Sequence, residues 1–361
     1  MLDGGGDVMG DRCVRLLLAG PLSPPLGGTT VPFERLVKSL SERSDVAVSV
    51  VRTTGIRGGG LASLARAAAL VRRLSRAIPR VDVVTLHVAT SGLHIAGPLV
   101  ACLSGRHGVP FVIRKFGGTD PREGGAVRWS LIRWALRRAG LYLAETKALV
   151  AEARADGIER ARWFPNSRPM PPLPDRPAGE EDRCTRFVFL GQVRGEKGIR
   201  ELIRAGERLG DGTAVDVYGP LGFDIDESAF SGLSRVRYRG VLAPEGVHAA
   251  LASYDALVLP SYGEGYPGAV IEAYAAGLPV VCTRGPALLE LVDESSGILV
   301  EPRDAEALHE AMLALTRDPT LAARLRAGVA ARRGEFSEGI WNERFVAYCS
   351  ELVKPCGRPE G

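Results

Sequence analysis

The chain has 361 residues, 45% of them hydrophobic and 6% aromatic, with a formal net charge of +4. That length suits two domains of ordinary size, and the apolar content is ample for two cores. The mild positive balance permits anionic ligands or a membrane surface but does not call for nucleic acid.

The six cysteines (Cys13, Cys102, Cys184, Cys282, Cys349 and Cys356) form no C-x-x-C pair. In a chain this long that points to a reducing, cytoplasmic setting. Residues 1–10 lack the basic start and apolar core of a signal peptide. No run reaches the roughly 18 apolar residues that span a bilayer. The expectation is a cytoplasmic protein, with contact at the inner face of the membrane as an option.

Val14–Ala19 reads as a short buried strand that opens through Gly27, Gly28 and Thr29 into a helix from about Val31 to Leu40. Rossmann-like domains use such a glycine pair to bring backbone near phosphate, although turns use glycine routinely. Strand-like runs follow at Val46–Val51, Val81–Val88, Pro110–Arg114 and Leu141–Ala144. They alternate with helices, the pattern of a parallel α/β sheet. The intervening Leu61–Ile78 and Val127–Arg138 are basic and amphipathic. In the second, Val127, Leu131 and Trp134–Ala135 recur at helical spacing, with Arg128, Arg133, Arg137 and Arg138 largely on other faces. Such a helix is either scaffold with a solvated face or a surface that lies on anionic lipid. Lys115, Phe116 and Gly117 follow a strand, where open α/β sheets bind ligands. They form either a sugar- or acceptor-facing loop or a plain strand-to-helix turn.

The proline-rich stretch after Arg168 suits an interdomain linker. It divides the chain into residues 1–170, a linker at 171–183, a second domain at 184–336 and a terminal helix and tail at 337–361. The second domain restarts the pattern with a strand at Arg186–Leu190, the loop Gly191–Gly198 and a helix carrying Ile199, Leu202, Ile203 and Leu209 inward. Lys197 at the loop-to-helix start is a point charge suited to phosphate. Arg194 either reaches the same anion or is a surface charge. Strands at Ala214–Tyr218, Val236–Arg239 and Asp255–Leu259 continue the sheet. Asp224 and Asp226 read as solvated acids in a surface loop. His87, His94, His107, His248 and His309 are scattered, so no metal site is expected.

The chain turns on Pro260–Val281, which reads as strand end, glycine-rich loop, short helix, tight stop and next strand. Pro267 suits the first helical position, Gly277 the left-handed stop, and Pro279 forbids continuation. Glu264 then lies in the loop. Glu272 lies about a turn and a half inside the helix and leans back toward its start. Both carboxylates converge near the N–H groups of Gly268, Ala269 and Val270, an anion site. Carboxylates beside phosphate repel it, so they are read as hydroxyl ligands. An anionic middle with hydroxyl-rich ends describes a nucleotide sugar.

Glu264, seven residues, Glu272, then Ala273, Gly277 and Pro279-Val280-Val281 resemble the signature of retaining glycosyltransferases of the GT-B fold, family 4. The resemblance is strong over about Arg186–Leu352 and continuous over Val14–Asn166. It implies an α/β fold of two Rossmann-like domains facing across a cleft, with the C-terminal helix crossing back to the first. It also implies sugar transfer, with retention, from a nucleotide diphosphate sugar (UDP- or GDP-linked) to a glycan or lipid-linked acceptor, with no cofactor required. Glu272 takes the ribose hydroxyls, and Glu264 with backbone from Gly265, Tyr266, Pro267, Gly268 and Ala269 holds the sugar. Lys197, with Arg194, meets the diphosphate, Gly240, Val241 and Leu242 meet the base, and Gly27, Gly28 and Thr29 face the donor. Trp163–Ser167 resembles the Pro-Asn element that closes the first domain. Two positions depart from the pattern: Phe116 stands where a histidine is usual, and Gln192 where an arginine is usual. They keep open a catalytically weak sugar-binding subunit. A glycoside hydrolase using the Glu264/Glu272 pair as acid and base is the other alternative. A dinucleotide oxidoreductase lacks its G-x-G-x-x-G after the first strand.

Overall fold

In a computed structural model, which describes residues 13–24, 27–53, 61–173 and 183–353, the chain builds two six-stranded parallel sheets. The residues read for a leader, positions 174–182 of the expected linker and Cys356 lie outside the described residues. The chain divides into two units. One comprises Met1–Glu145, Leu149–Phe164 and Asn342–Gly361, and the other Thr146–Ala148 and Pro165–Trp341.

The first sheet contains β1 (Val14–Gly20), β2 (Val46–Arg52), β3 (Val83–Ala89), β4 (Phe111–Phe116), β5 (Leu141–Ala144) and β6 (Ala161–Trp163), ordered β2-β1-β3-β4-β5-β6. Leu16, Leu17, Leu18, Val83 and Val84 are fully buried, as strands covered on both faces require. The connecting helices are α1 (Thr30–Ser41), α2 (Leu61–Ala77), α3 (Thr90–His107), α4 (Ala126–Leu136) and α5 (Lys147–Ala155). Periodicity does not announce α3, because Gly92, Gly97, Pro98 and Gly105 interrupt it. Gly97 is what brings it onto α4, since a Cβ there would stand 3.3 Å from Ala135 Cβ.

A scaffold role for α4 would put the stripe of Val127, Leu131 and Trp134–Ala135 against the core, and of these Ala135 is buried. The structure buries Ile132 and Leu136 beside it and leaves Val127, Leu131 and Trp134 exposed.

The second sheet contains β7 (Arg186–Leu190), β8 (Ala214–Tyr218), β9 (Val236–Tyr238), β10 (Ala256–Leu259), β11 (Val280–Thr283) and β12 (Gly297–Val300), ordered β12-β11-β10-β7-β8-β9. Its helices are α6 (Ile199–Gly206), α7 (Val247–Leu251), α8 (Gly268–Ala275), α9 (Pro286–Leu291), α10 (Ala305–Arg317) and α11 (Pro319–Arg332). The last helix, α12 (Glu338–Ser350), begins in the second unit and ends in the first. Phe345 is buried there with its ring 5.8 Å from those of His87 and Phe164. Asn342 donates to the Ser39 hydroxyl at 2.7 Å, and Leu352 packs over Gly140. The α/β class and the return of the chain's end to the first domain are as expected.

Candidate active site

The second sheet changes direction between β7 and β10, neighbours from which the chain runs outward to β8–β9 on one side and β11–β12 on the other. Open α/β sheets bind ligands just outside the carboxyl ends of such a pair. The loops leaving these two strands carry Lys197 and Glu264. Gly198, with φ +71°, follows the single 3-10 turn Gly195–Lys197, and a Cβ there would stand 2.1 Å from the Pro260 carbonyl oxygen. Glycine alone tolerates both the left-handed backbone and that approach. The contact lets the Tyr262 N–H donate to the Glu196 carbonyl at 2.9 Å. It also sets Lys197 Nζ 2.8 Å from Glu264 Oε1. That oxygen accepts the Ser261 hydroxyl at 2.6 Å, and the Thr283 hydroxyl donates to the Ser261 carbonyl. Asp224 is not merely solvated, because its Oδ2 accepts the Gly195 N–H at 2.9 Å and so buttresses the lysine turn.

Helix α8 starts one residue later than expected, so Pro267 is its N-cap rather than its first residue. It ends with Leu278 N–H donating to Ala273 and Gly277 N–H to Tyr274, Gly277 having φ +77°. These are the two bonds of a Schellman stop. Of the N–H groups expected to meet an anion, that of Val270 donates to the Pro267 carbonyl at 3.3 Å. Glu272 is buried inside α8, and its Oε1 accepts from Arg168 Nε. The two side chains are only 11% and 7% exposed. Arg168 Nη1 donates to the Ser167 carbonyl at 2.8 Å. Nη2 lies over the first residue of α8, 2.5 Å from where a Gly268 Cβ would be. A cation at the positive end of a helix is unfavourable by itself, and the Glu272 carboxylate offsets it. Two residues earlier, Asn166 Nδ2 donates to the Tyr266 carbonyl at 3.4 Å. Arg168 is therefore part of this site. The only hint of it in the sequence is its place just after Pro165-Asn166.

The remaining expected residues are placed as follows. Arg194 is engaged outside the Lys197–Glu264 pair: Nη1 meets Glu196 at 3.1 Å and the guanidinium stacks over Phe223 at 4.8 Å. Gly240, φ +82°, accepts the Gly219 N–H at 2.8 Å, while Val241 is exposed and Leu242 half-buried. A Cβ at Gly219 would stand 1.7 Å from the Gly191 carbonyl, so Gly219 closes the carboxyl ends of β7 and β8, a role the sequence does not reveal. In the first unit, Gly27 and Gly28 are exposed just before α1, with nothing described within 4 Å of an added Cβ, and Thr29 is the N-cap of α1. The loop leaves β1, beside the point where the first sheet changes direction. Gly265 lies in the α8 loop, half-buried, with Tyr266 buried and Ala269 half-buried. Among the described residues there is no cluster of His, Cys, Asp and Glu that could hold a metal ion.

Lys115 and Phe116 are corrected by their burial: both face inward, 0% and 2% exposed, and only Gly117 stays near the surface. Lys115 Nζ donates to the Gly117 carbonyl, and the Gly117 N–H donates to Glu145 Oε2 at 2.5 Å. Burial lowers the Lys115 ammonium to about 8, against the pull of Glu145 and Asp120. The unfolded chain keeps that proton up to its ordinary 10.5. Between those values the unfolded state binds more protons, so this lysine's destabilising effect is full below pH 8 and fades toward 10.5. Measured against Lys115→Met, the wild type should therefore gain up to about 3 kcal/mol of relative stability as pH rises from about 8 toward 10.5. Comparing with the variant removes the opposing effect of Cys282, whose thiol burial raises to about 12. Denaturant midpoints of both proteins across that range test this, and a pH-independent difference would refute it.

The family described as "Glycosyl transferases group 1" matches residues 184–318, and "Glycosyltransferase Family 4" matches residues 29–167. The 2-deoxystreptamine glucosyltransferase of Streptomyces kanamyceticus is 28% identical over 343 residues, 83% of this chain and 87% of that protein. The putative teichuronic acid biosynthesis glycosyltransferase TuaC of Bacillus subtilis is 36% identical over 127 residues, 35% of this chain and 31% of that protein. The chain thus spans about a third of TuaC but most of the glucosyltransferase. Among solved structures, Anabaena Alr3699/HepE in complex with UDP superposes with a TM-score of 0.74 at 17% identity, covering 94% of this chain and all of that one.

Proposed function

We propose, from the premise that this chain is a group 1 glycosyltransferase of the GT-B fold, that it moves a hexose from a nucleotide diphosphate sugar to a glycan or lipid-linked acceptor with retention at the anomeric carbon. The observation that carries this reading is the Lys197–Glu264 pair at 2.8 Å, set at the switch point of the second sheet beside α8 and Glu272.

The reaction breaks the bond from the anomeric carbon to the diphosphate. It forms one to an acceptor hydroxyl oxygen, and the acceptor proton leaves with the diphosphate. Lys197 supplies a fixed positive charge where the diphosphate gains negative charge, a preorganised interaction that grows as the bond breaks. Glu264, held on Ser261, accepts sugar hydroxyls, and Glu272 accepts the ribose hydroxyls. The exposed Val241 offers an apolar face to the base. UDP is the nucleotide that HepE carries in its solved complex, so it is the first nucleotide to try. TuaC is named for teichuronic acid biosynthesis, which favours a polysaccharide acceptor. Glu264 and Glu272 as a hydrolase pair is disfavoured, because one is neutralised by Lys197 and the other by Arg168.

Thermal denaturation with UDP, GDP and ADP tests the donor assignment. A nucleotide at about a hundred times its Kd should stabilise the wild type by roughly 2.7 kcal/mol, and Glu272→Ala should lose most of that ligand-induced shift. No shift with any nucleotide would sink the reading. A shift without sugar transfer would identify a binding subunit.

A further inference from the structure

Helix α4 carries an exposed apolar stripe that nothing in the donor chemistry uses. Val127, Leu131 and Trp134 fall on one face at spacings of four and three residues, 78%, 44% and 37% exposed. The opposite face, Ile132 and Leu136, is already spent on the core. The helix therefore has two apolar faces, and among the described residues only one has a partner. A large aliphatic pair beside an exposed tryptophan is costly to leave in water without a use.

The charged residues of α4 and of the turn that follows it are all basic. Arg128 flanks the stripe on one side, Arg133 and Arg137 on the other, and Arg138 closes its C-terminal end, its guanidinium stacked 4.1 Å over Trp134. Nε of Arg133 and Nη2 of Arg137 donate to the Asp156 carbonyl at 3.2 and 3.0 Å, which fixes their stems beside the helix. No acid occurs between Gly124 and Gly140. Among the described residues, none of these four arginines is paired with a carboxylate. No described helix is long and apolar enough to cross a membrane, so an apolar contact here is one of lying on a surface.

We infer that α4 docks on an anionic lipid bilayer, with Val127, Leu131 and Trp134 entering the interface and Arg128, Arg133, Arg137 and Arg138 meeting lipid phosphates. Apolar depth and basic rim are the two contributions that hold an interfacial helix, and tryptophan suits the headgroup level. A second copy of this chain fits worse, because a two-fold contact would set one arginine rim against another. Docking would hold the first unit beside a membrane-borne acceptor, but the contact itself requires no nucleotide.

The test is co-sedimentation of the full chain, without donor, with phosphatidylcholine vesicles that contain or lack phosphatidylglycerol. Binding should require the anionic lipid and weaken as salt rises. Val127→Glu/Leu131→Glu should weaken it by roughly ten-fold or more, and Arg128→Gln/Arg137→Gln should weaken it by a similar factor. All four positions are exposed and only the Arg137 bond to the Asp156 carbonyl is lost, so the melting temperature should fall slightly at most and the UDP-induced shift should match wild type. That separates failure of docking from failure of the donor assignment. As a second measurement, tryptophan emission should shift to shorter wavelength on vesicles in the wild type and not in Trp134→Phe. Absence of binding to anionic vesicles, or stripe variants that bind as well as wild type, would overturn the proposal. So would a dimer that the stripe variants dissolve.

Discussion

Lys197→Met is expected to lower kcat by roughly 10³-fold. The size of the effect follows from what the lysine faces. Its ammonium is set on Glu264 by a turn that Gly198 presses against Pro260 and that Asp224 braces, so it cannot drift with the leaving group. A charge that needs no reorganisation as the bond breaks acts mainly on the transition state, and its loss appears in kcat more than in KM. Glu264, only 11% exposed, keeps its bond from Ser261 but loses its cation, so some loss of stability accompanies the change and rates are compared well below the variant's melting temperature. Lys197→Arg should rescue little, since a planar fork does not fit where a compact ammonium sits. Initial rates of transfer from UDP-sugars measure this. A fall of less than ten-fold would remove Lys197 from the reaction.

The second large effect is on stability. Arg168→Met should destabilise the second unit by about 3 kcal/mol, because it withdraws the guanidinium from a carboxylate buried in α8. Breaking one side of such a pair costs far more than the pair contributes, since the remaining charge is left out of water. Adding Glu272→Gln to the same chain should therefore recover much of the loss, and denaturant midpoints of the two singles and the double close the cycle. Additive losses would show that the two side chains act independently. Arg168 also has a backbone role. Its N–H donates to the Phe336 carbonyl and its carbonyl accepts from Glu338 N–H, and those bonds remain in the variant, so a side-chain effect is what the cycle reads.

What was legible in the sequence, and what was not, follows from how far apart the interacting residues are. The α8 loop, its stop at Gly277 and the depth of Glu272 were readable because each depends on neighbours within a turn. Strand boundaries came through as well, with Leu141–Ala144, Arg186–Leu190 and Ala214–Tyr218 falling where the apolar runs put them. The helix α3 did not, since its glycines and Pro98 break the pattern and the close approach of α4 over Gly97 is a tertiary contact. Lys115 looked available for a ligand because its loop position suggested exposure, but neighbouring strands and the Glu145 side chain enclose it.

The sequence by itself determined the α/β alternation and the loop, short helix and glycine stop of Pro260–Val281, because these are local patterns and periodicities. Tertiary structure alone decided that Lys197 meets Glu264, that Arg168 meets Glu272 and that the α4 stripe faces outward. A periodic pattern says that a helix has a face. Only the packing of distant segments says which face the core takes and which charge finds a partner.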